Sequence, residues 1–339
     1  MRISYVADTN SVNSNYRAYQ PMQVLRDKRY EIEWNRAGEM PFSPARIAGA
    51  DVVHVHRFLG GNSQKAVERL RAQGVGIVWD NDDDIASIPR SNPHYARYGG
   101  PRRAALVRTI EAMLRTVDVV TTPSAILAQR FRDAGAADVR IIENYLPDDF
   151  PGTRARRDDG VTLVWLAGLE HQVDYQRLKL QQTLLRLLDA HPDLRIFSIG
   201  LGLGLKSDRY EHLSIVDFPD LARVLARADL GIAPLVEMPW NEAKSNVKLK
   251  EYAAAGLPWL ASPIGPYAGM GEAQGGLLVP NDGWHEAIDR MIGDARGRNK
   301  LAKRAAKWAK GETISKHIGE WETVYRDAAA AGRARRPAV

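Results

Sequence analysis

Three clusters of side chains in this chain have types and spacings that could do chemistry. The first lies in residues 241–262, which read NEAKSNVKLKEYAAAGLPWLAS. Lys244, Lys248 and Glu251 are four and three positions apart, so on a helix they share one face. Ser245 is placed to cap the start of that helix, and Gly256 followed by Pro258 to stop it. A helix N-terminus offers free amides, and two lysines beside it suit a diphosphate. Glu251, two turns in, can accept hydrogen bonds from ribose hydroxyls. The same spacing also describes a surface helix with a solvated charged face. The second cluster is WDNDDD at 79–84, with carboxylates at Asp80, Asp82, Asp83 and Asp84. Crowded carboxylates are costly unless solvated, capped or faced by a cation. Three readings compete: a metal site holding Mn²⁺ or Mg²⁺ on a nucleotide diphosphate, an acidic cluster that positions an acceptor hydroxyl, or helix caps on a solvated loop. The third cluster is His54 and His56, which alternate along an apolar run and so share a strand face. His54 reads as a core residue. His56 lies nearer the carboxyl end and is the functional candidate.

These side chains must be held by an alternation of strands and helices. Apolar runs at 2–7, 30–34, 52–56, 76–79, 117–121 and 139–142 read as strands, with helices at 16–27, 64–73, 102–116 and 124–134 between them. Such alternation predicts a parallel sheet with helices on both faces. Residues 143–160, rich in Pro, Gly and charge, read as an interdomain linker. A second series follows, with strands at 161–166, 194–199, 213–216, 230–232, 259–261 and 276–279. Its helices are expected at 175–190, 221–227, 285–292, 299–310 and 314–329. The GxGxG run at 200–204 has the wrong spacing for a dinucleotide cradle and reads as a flexible loop. The expected organisation is an N-terminal Rossmann-like domain over 1–150, a second over 151–312, a closing helix over 313–331 and a disordered basic tail over 332–339.

Residues 241–262 resemble the donor-site signature of retaining GT-B glycosyltransferases, especially glycosyltransferase family four. That signature is a glutamate, seven residues, a second glutamate, small residues, then a glycine, proline and apolar strand. The second glutamate falls on Glu251, followed by AAAGLPWLAS; the first, which touches the donor sugar's hydroxyls, falls on Ala243, with Glu242 one residue before it. Residues 228–235, ADLGIAPL, and 50–56, ADVVHVH, are similar to further strand ends of the family. Residues 166–174, LAGLEHQVD, are similar to the opening of its C-terminal domain. The resemblance implies a GT-B fold, α/β, with two doubly wound domains facing a cleft and the last helix crossing back to the N-terminal domain. It implies diphosphate-binding amides at Asn246 and Val247, Lys244 and Lys248 neutralising the diphosphate, close backbone approach at Gly168, and a polar His171. Phe218 would lie where backbone amides frame the base. His56 would lie near the transferred sugar. Residues 16–21, YRAYQP, resemble a variant seen in bacterial and phage glycosyltransferases, which puts Tyr16 and Arg17 on the acceptor side with Asp83 and Asp84. Asp80 and Asp82 join His56 and Lys248 as catalytic candidates, and the GT-B resemblance sets the metal reading behind the acceptor reading.

The implied activity is transfer of a sugar from a nucleotide diphosphate sugar, UDP first and GDP second, to an acceptor hydroxyl, with retention and without a metal cofactor. Acceptor classes are virion protein, modified DNA, polysaccharide or glycolipid. The rival readings are a non-catalytic nucleic-acid or glycan binding protein on the same scaffold, and a nucleotide-sugar epimerase. Composition narrows the field further. The 339 residues are 45% hydrophobic, enough for two cores. There is no cysteine, which excludes disulfides, thiolate catalysis and cysteine-ligated zinc. No run is long and apolar enough for a membrane span, and the N-terminus starts on a strand with no signal peptide visible. A cytoplasmic location, the host cytoplasm for a phage protein, is expected. The net charge of +6 favours polyanionic neighbours.

Overall fold

The computed structural model describes residues 1–7, 14–36, 47, 49–57, 63–150 and 160–336. Among them are two six-stranded sheets in which every strand pair is parallel. The N-terminal sheet holds β1 (Arg2–Ala7), β2 (Glu31–Arg36), β3 (Val52–His56), β4 (Gly76–Asp80), β5 (Val119–Thr122) and β6 (Val139–Ile141), in the order β2-β1-β3-β4-β5-β6. A π-helical turn, Asn15–Tyr19, runs into α1 (Gln20–Asp27). α2 (Ser63–Ala72), α3 (Arg103–Thr116) and α4 (Ala125–Asp133) complete the N-terminal layers. Strands β3 and β4 are buried at every position, as strands covered on both faces must be.

The C-terminal sheet holds β7 (Val161–Ala167), β8 (Leu194–Gly200), β9 (Tyr210–Leu213), β10 (Leu230–Ala233), β11 (Trp259–Ala261) and β12 (Gly276–Leu278), in the order β12-β11-β10-β7-β8-β9. Its helices are α5 (Gln172–Arg177), α6 (Leu180–Ala190), α7 (Phe218–Leu225), α8 (Val247–Ala254), α9 (Trp284–Gly293), α10 (Ala295–Ala309) and α11 (Ile314–Ala334). Both sheets are doubly wound and reverse direction once, between β1 and β3 and between β7 and β10. Ligands bind outside the carboxyl ends of strands at such a reversal. α11 leaves the second domain and packs on β3 and β4 of the first. Its Ile318, Trp321, Val324 and Tyr325 share a core with Ile3, Tyr5, Val52 and Val78. A side chain on Gly76 would meet the Ala328 carbonyl oxygen at 2.2 Å, so glycine lets this helix lie directly on the strand.

Several expectations shift. The strand expected at 213–216 forms earlier, at Tyr210–Leu213, where it pairs with β8, and Ile215 stands 83% exposed beyond it. The helix expected at 175–190 breaks at Lys179, whose φ is +51°, giving α5 and α6. The loop at 200–204 is pinned rather than flexible: Leu201, Leu203 and Leu205 are buried, and Tyr175 and Tyr210 bond the Leu203 backbone. Within the expected linker, Asn144, Tyr145 and Leu146 are buried and Leu146 bridges to Thr313; residues 151–159 lie outside the described residues. The expected disordered tail is ordered through residue 336, with Arg335 paired to Asp118 at 2.5 Å; residues 337–339 lie outside. The stop at Gly256 forms as expected: its φ is +77°, a conformation glycine adopts without strain, and Leu257 N bonds back to the Tyr252 carbonyl.

Candidate functional site

At the C-terminal reversal, Gly168 follows β7 and the chain turns through Leu169–His171 into α5. Beyond β10, Val236 N donates to Asp174 Oδ1 at 2.8 Å, and Asn241 Nδ2 donates to the same oxygen at 2.8 Å. The other carboxylate oxygen lies 2.8 Å from His171 Nδ1. Burial holds the His171 imidazole well below its usual range, reinforced by the charges of Lys248 and Lys244. The ring is therefore neutral. Its Nδ1–H donates to Asp174, and its Nε2 accepts from Lys248 Nζ at 3.0 Å. Burial, then Lys244, pushes the Lys248 ammonium down to about 8. Lys244 itself lies over the Trp240 ring and 3.8 Å from Glu170. Asn241 and Glu170 were not singled out from the sequence. Only their neighbours carried a pattern, although an asparagine opening the lysine run was a usable signal.

α8 starts at Val247, with Asn246 as its N-cap residue. The expected Ser245 cap does not form. Ser245 Oγ instead accepts from Asn144 Nδ2 at 3.0 Å, and Asn246 Nδ2 donates to Glu143 at 3.0 Å. Among the described residues, the backbone amides of 245–248 have no protein acceptor. Four free amides and two lysines therefore converge at the positive end of a helix, the arrangement that binds anions. A cavity of about 540 Å³ opens elsewhere on this domain, lined by Arg177, Lys179, Trp284 and His285. Arg177 and Lys179 thus face a space that none of the lysine-run residues lines.

Glu251 is buried one turn into α8 and accepts from the Tyr16 hydroxyl at 2.5 Å, across the domain boundary. Tyr16 also packs edge-on against Phe218, with ring centroids 5.2 Å apart. Tyr16, Phe218 and Glu251 are thus brought together at the cleft. Burial raises the Glu251 carboxyl to about 7, against the opposing pull of Tyr16 and Lys248. A carboxyl raised in the folded state binds its proton more tightly there than in the unfolded chain. Its stabilising contribution is full below the unfolded value and lost as pH rises through about 7. Thermal melts of the ligand-free protein should therefore fall between pH 5 and pH 8, and Glu251→Gln should flatten that slope. A slope unchanged by the substitution would assign it to other groups.

The two residues at the signature's first glutamate are engaged elsewhere. Ala243 is buried in the N-terminal core cluster, its carbonyl accepting from Ser124 Oγ at 2.9 Å. Glu242 pairs with Arg130 of α4 at 3.2 Å, and Arg130 also bonds the Pro239 carbonyl and Asp84.

The N-terminal candidates separate into an interior pair and an arginine-paired cluster. Arg17 and Asp80 are fully buried and paired at 2.6 Å. Arg17 also donates to the carbonyls of Ile142 and Glu143 and to Asn144, and Thr121 donates to Asp80 at 2.6 Å. Burial works to raise Asp80, but Arg17 outweighs it and the carboxyl is held below its usual range. Arg17 therefore does not face an acceptor, and Asp80 does not face the cleft; each satisfies the other. Arg57 pairs with Asp82 and with Asp83, and Arg130 with Asp84. Among the described residues no three His, Asp or Glu are grouped to hold a metal ion. His56 is fully buried, its Nε2 lying 3.5 Å from Asp82 and 3.7 Å from Asp80. His54 is a core residue, bonded to the Tyr325 hydroxyl at 3.0 Å.

Residues 160–294 match the family model Glycosyl transferases group 1. The matched segment is a glycosyltransferase domain, and the chain an enzyme of the transferase class. Among solved structures, the transferase is similar to sucrose-phosphate synthase from Thermosynechococcus elongatus, with a TM-score of 0.72 and 16% identity over 97% of this chain and 99% of that one. It is similar to the HepE protein of Anabaena in complex with UDP-glucose, at a TM-score of 0.66 and 16% identity, over 95% and 99% of the two chains. A glycosyltransferase from Rickettsia africae gives 0.67 and 12%, over 96% and 98%. These likenesses establish the GT-B fold. No curated protein matches in sequence. No described helix is long and apolar enough to cross a membrane.

Proposed function

We propose that the chain transfers a sugar from a nucleotide diphosphate sugar to an acceptor hydroxyl, with UDP as the first choice of nucleotide. The observation that carries this reading is the start of α8, where four unpartnered amides and the Lys244–Lys248 pair converge at the sheet reversal. As the glycosidic bond breaks, negative charge grows on the departing diphosphate, and these groups stabilise it. The Asp174–His171–Lys248 relay fixes the ammonium without neutralising it, because the ring offers a lone pair and no charge. Glu251 holds the ribose once Tyr16 has yielded its hydrogen bond. With Asp82 and Asp83 tied to Arg57, the reading assigns no metal ion to the site. His56 contributes a buried imidazole near the transferred sugar. Neither Ala243 nor Glu242 offers a carboxylate to that sugar in this arrangement, which favours a second reading, donor binding without turnover.

Thermal melts with a panel of nucleotide diphosphates and their sugars test the proposal. A ligand bound only by the folded state adds about 2.7 kcal/mol at a hundred times its dissociation constant. One nucleotide should raise the midpoint equally with and without Mn²⁺. A shift seen only with Mn²⁺ would return the chemistry to Asp80–Asp84, and no shift would count against a donor site. A shift with no sugar released or transferred would favour the second reading.

A further inference from the structure

Between residues 85 and 110 the chain has no acidic residue and five arginines, Arg90, Arg97, Arg102, Arg103 and Arg108. The segment leaves the carboxyl end of β4 through the turn Ile85–Ser87, which touches the Pro239–Glu242 turn of the other domain. Arg130, bonded to both Asp84 and the Pro239 carbonyl, fastens the same junction, so the segment starts at the border between the two domains. Among the described residues none of the five arginines pairs with a carboxylate. Arg102 and Arg103 bond the Ala96 and Ile88 carbonyls, and Arg97 lies over the Tyr98 ring. Arg90, Arg97, Arg102 and Arg108 are exposed, and Tyr95, Tyr98 and Leu106 are half-buried among them.

We propose that residues 90–108 are the surface on which this enzyme meets its acceptor, and that the acceptor lies in an anionic phospholipid surface. The proposal rests on the transferase reading above. Arginine favours phosphate because its planar fork pairs two oxygens and is weakly hydrated. A pocket for one phosphate would gather its cations around a point. Here four of the five are exposed and distributed along residues 90–108, with the half-buried Tyr95 among them, which suits many phosphates at the headgroup level of a bilayer better than one. Docked there, a lipid-borne hydroxyl enters the cleft from its rim.

Co-sedimentation of the full chain with vesicles tests this, using phosphatidylcholine alone and phosphatidylcholine mixed with phosphatidylglycerol. The protein should bind only the mixed vesicles, and less as salt is raised. Arg90→Gln/Arg97→Gln/Arg102→Gln should lose partitioning on the order of a hundred-fold, at about five-fold per arginine. Lys300→Gln/Lys303→Gln/Lys307→Gln, on the exposed basic face of α10, should bind as wild type. Equal binding by the arginine variant, loss in the lysine variant instead, or no binding to anionic vesicles overturns the proposal. Displacement by millimolar inorganic phosphate would also overturn it, by showing a discrete phosphate site. Nucleotide-induced thermal shifts on the same samples keep the two readings apart. A retained shift with no vesicle binding sinks the docking surface alone; vesicle binding with no shift sinks the transferase reading.

Discussion

Lys248→Ala should lower kcat by about a hundred- to a thousand-fold, the cost of removing one donor from a developing oxyanion, while leaving the melting midpoint unchanged or slightly raised. The side chain is half-buried, and desolvation with the Lys244 charge depresses its proton affinity to about 8. The sign for stability follows. A depressed lysine contributes stability above its unfolded value, and that contribution is lost as pH falls through about 8. At neutral pH the fold therefore gains little from this charge, and removing it relieves a desolvation penalty. The neutral His171 keeps its bond to Asp174 and loses only an incoming donor. Steady-state kinetics at saturating donor, alongside melts, check both halves. Turnover equal to wild type would remove Lys248 from the site, and a large loss of stability would make it a structural residue.

Arg17→Met should do the reverse, unfolding the protein far more than it alters chemistry. The Arg17–Asp80 pair is fully buried, and deleting one partner leaves an uncompensated charge that costs about 3–5 kcal/mol. For a domain of this size the midpoint should drop by on the order of 10 °C. Arg17→Met/Asp80→Asn should recover part of the loss, because the stranded carboxylate is gone. If Arg17 met an acceptor instead, the single variant would melt like wild type and show only a raised KM for the acceptor.

The contrast between these residues shows what a sequence discloses. Lys248 and Glu251 were legible because a helix repeats every 3.6 residues, whereas Lys244 precedes α8 rather than sharing its face, and Gly256 was legible because a helix stop needs a special backbone conformation. The strand cores at β1, β3 and β11 were legible from mostly apolar runs with clear bounds. Arg17 and Asp80 were misread because their partnership spans 63 positions, and no local pattern distinguishes a buried ion pair from an exposed site. The Tyr16–Glu251 bond, 235 positions apart, was invisible for the same reason. Three of the four crowded aspartates drew on arginines at 57 and 130, so a cluster that looked repulsive in one dimension is paired with cations in three. The displaced β9 had a local cause: the run 213–216 is the more apolar, but the tyrosine at 210 is what bonds Ser198 and holds the edge.

The crossing of α11 onto β3 and β4 has a bearing on biosynthesis. Trp321 and Tyr325 fill the same core as Ile3 and Tyr5, so β1 and β3 cannot complete their packing until α11, far later in the chain, has been made. Domains usually mature in the order they are synthesised. Here the second domain can close first, while the first waits with an apolar face exposed for the length of one further domain. That interval is when nascent chains of this protein most need a chaperone's cover.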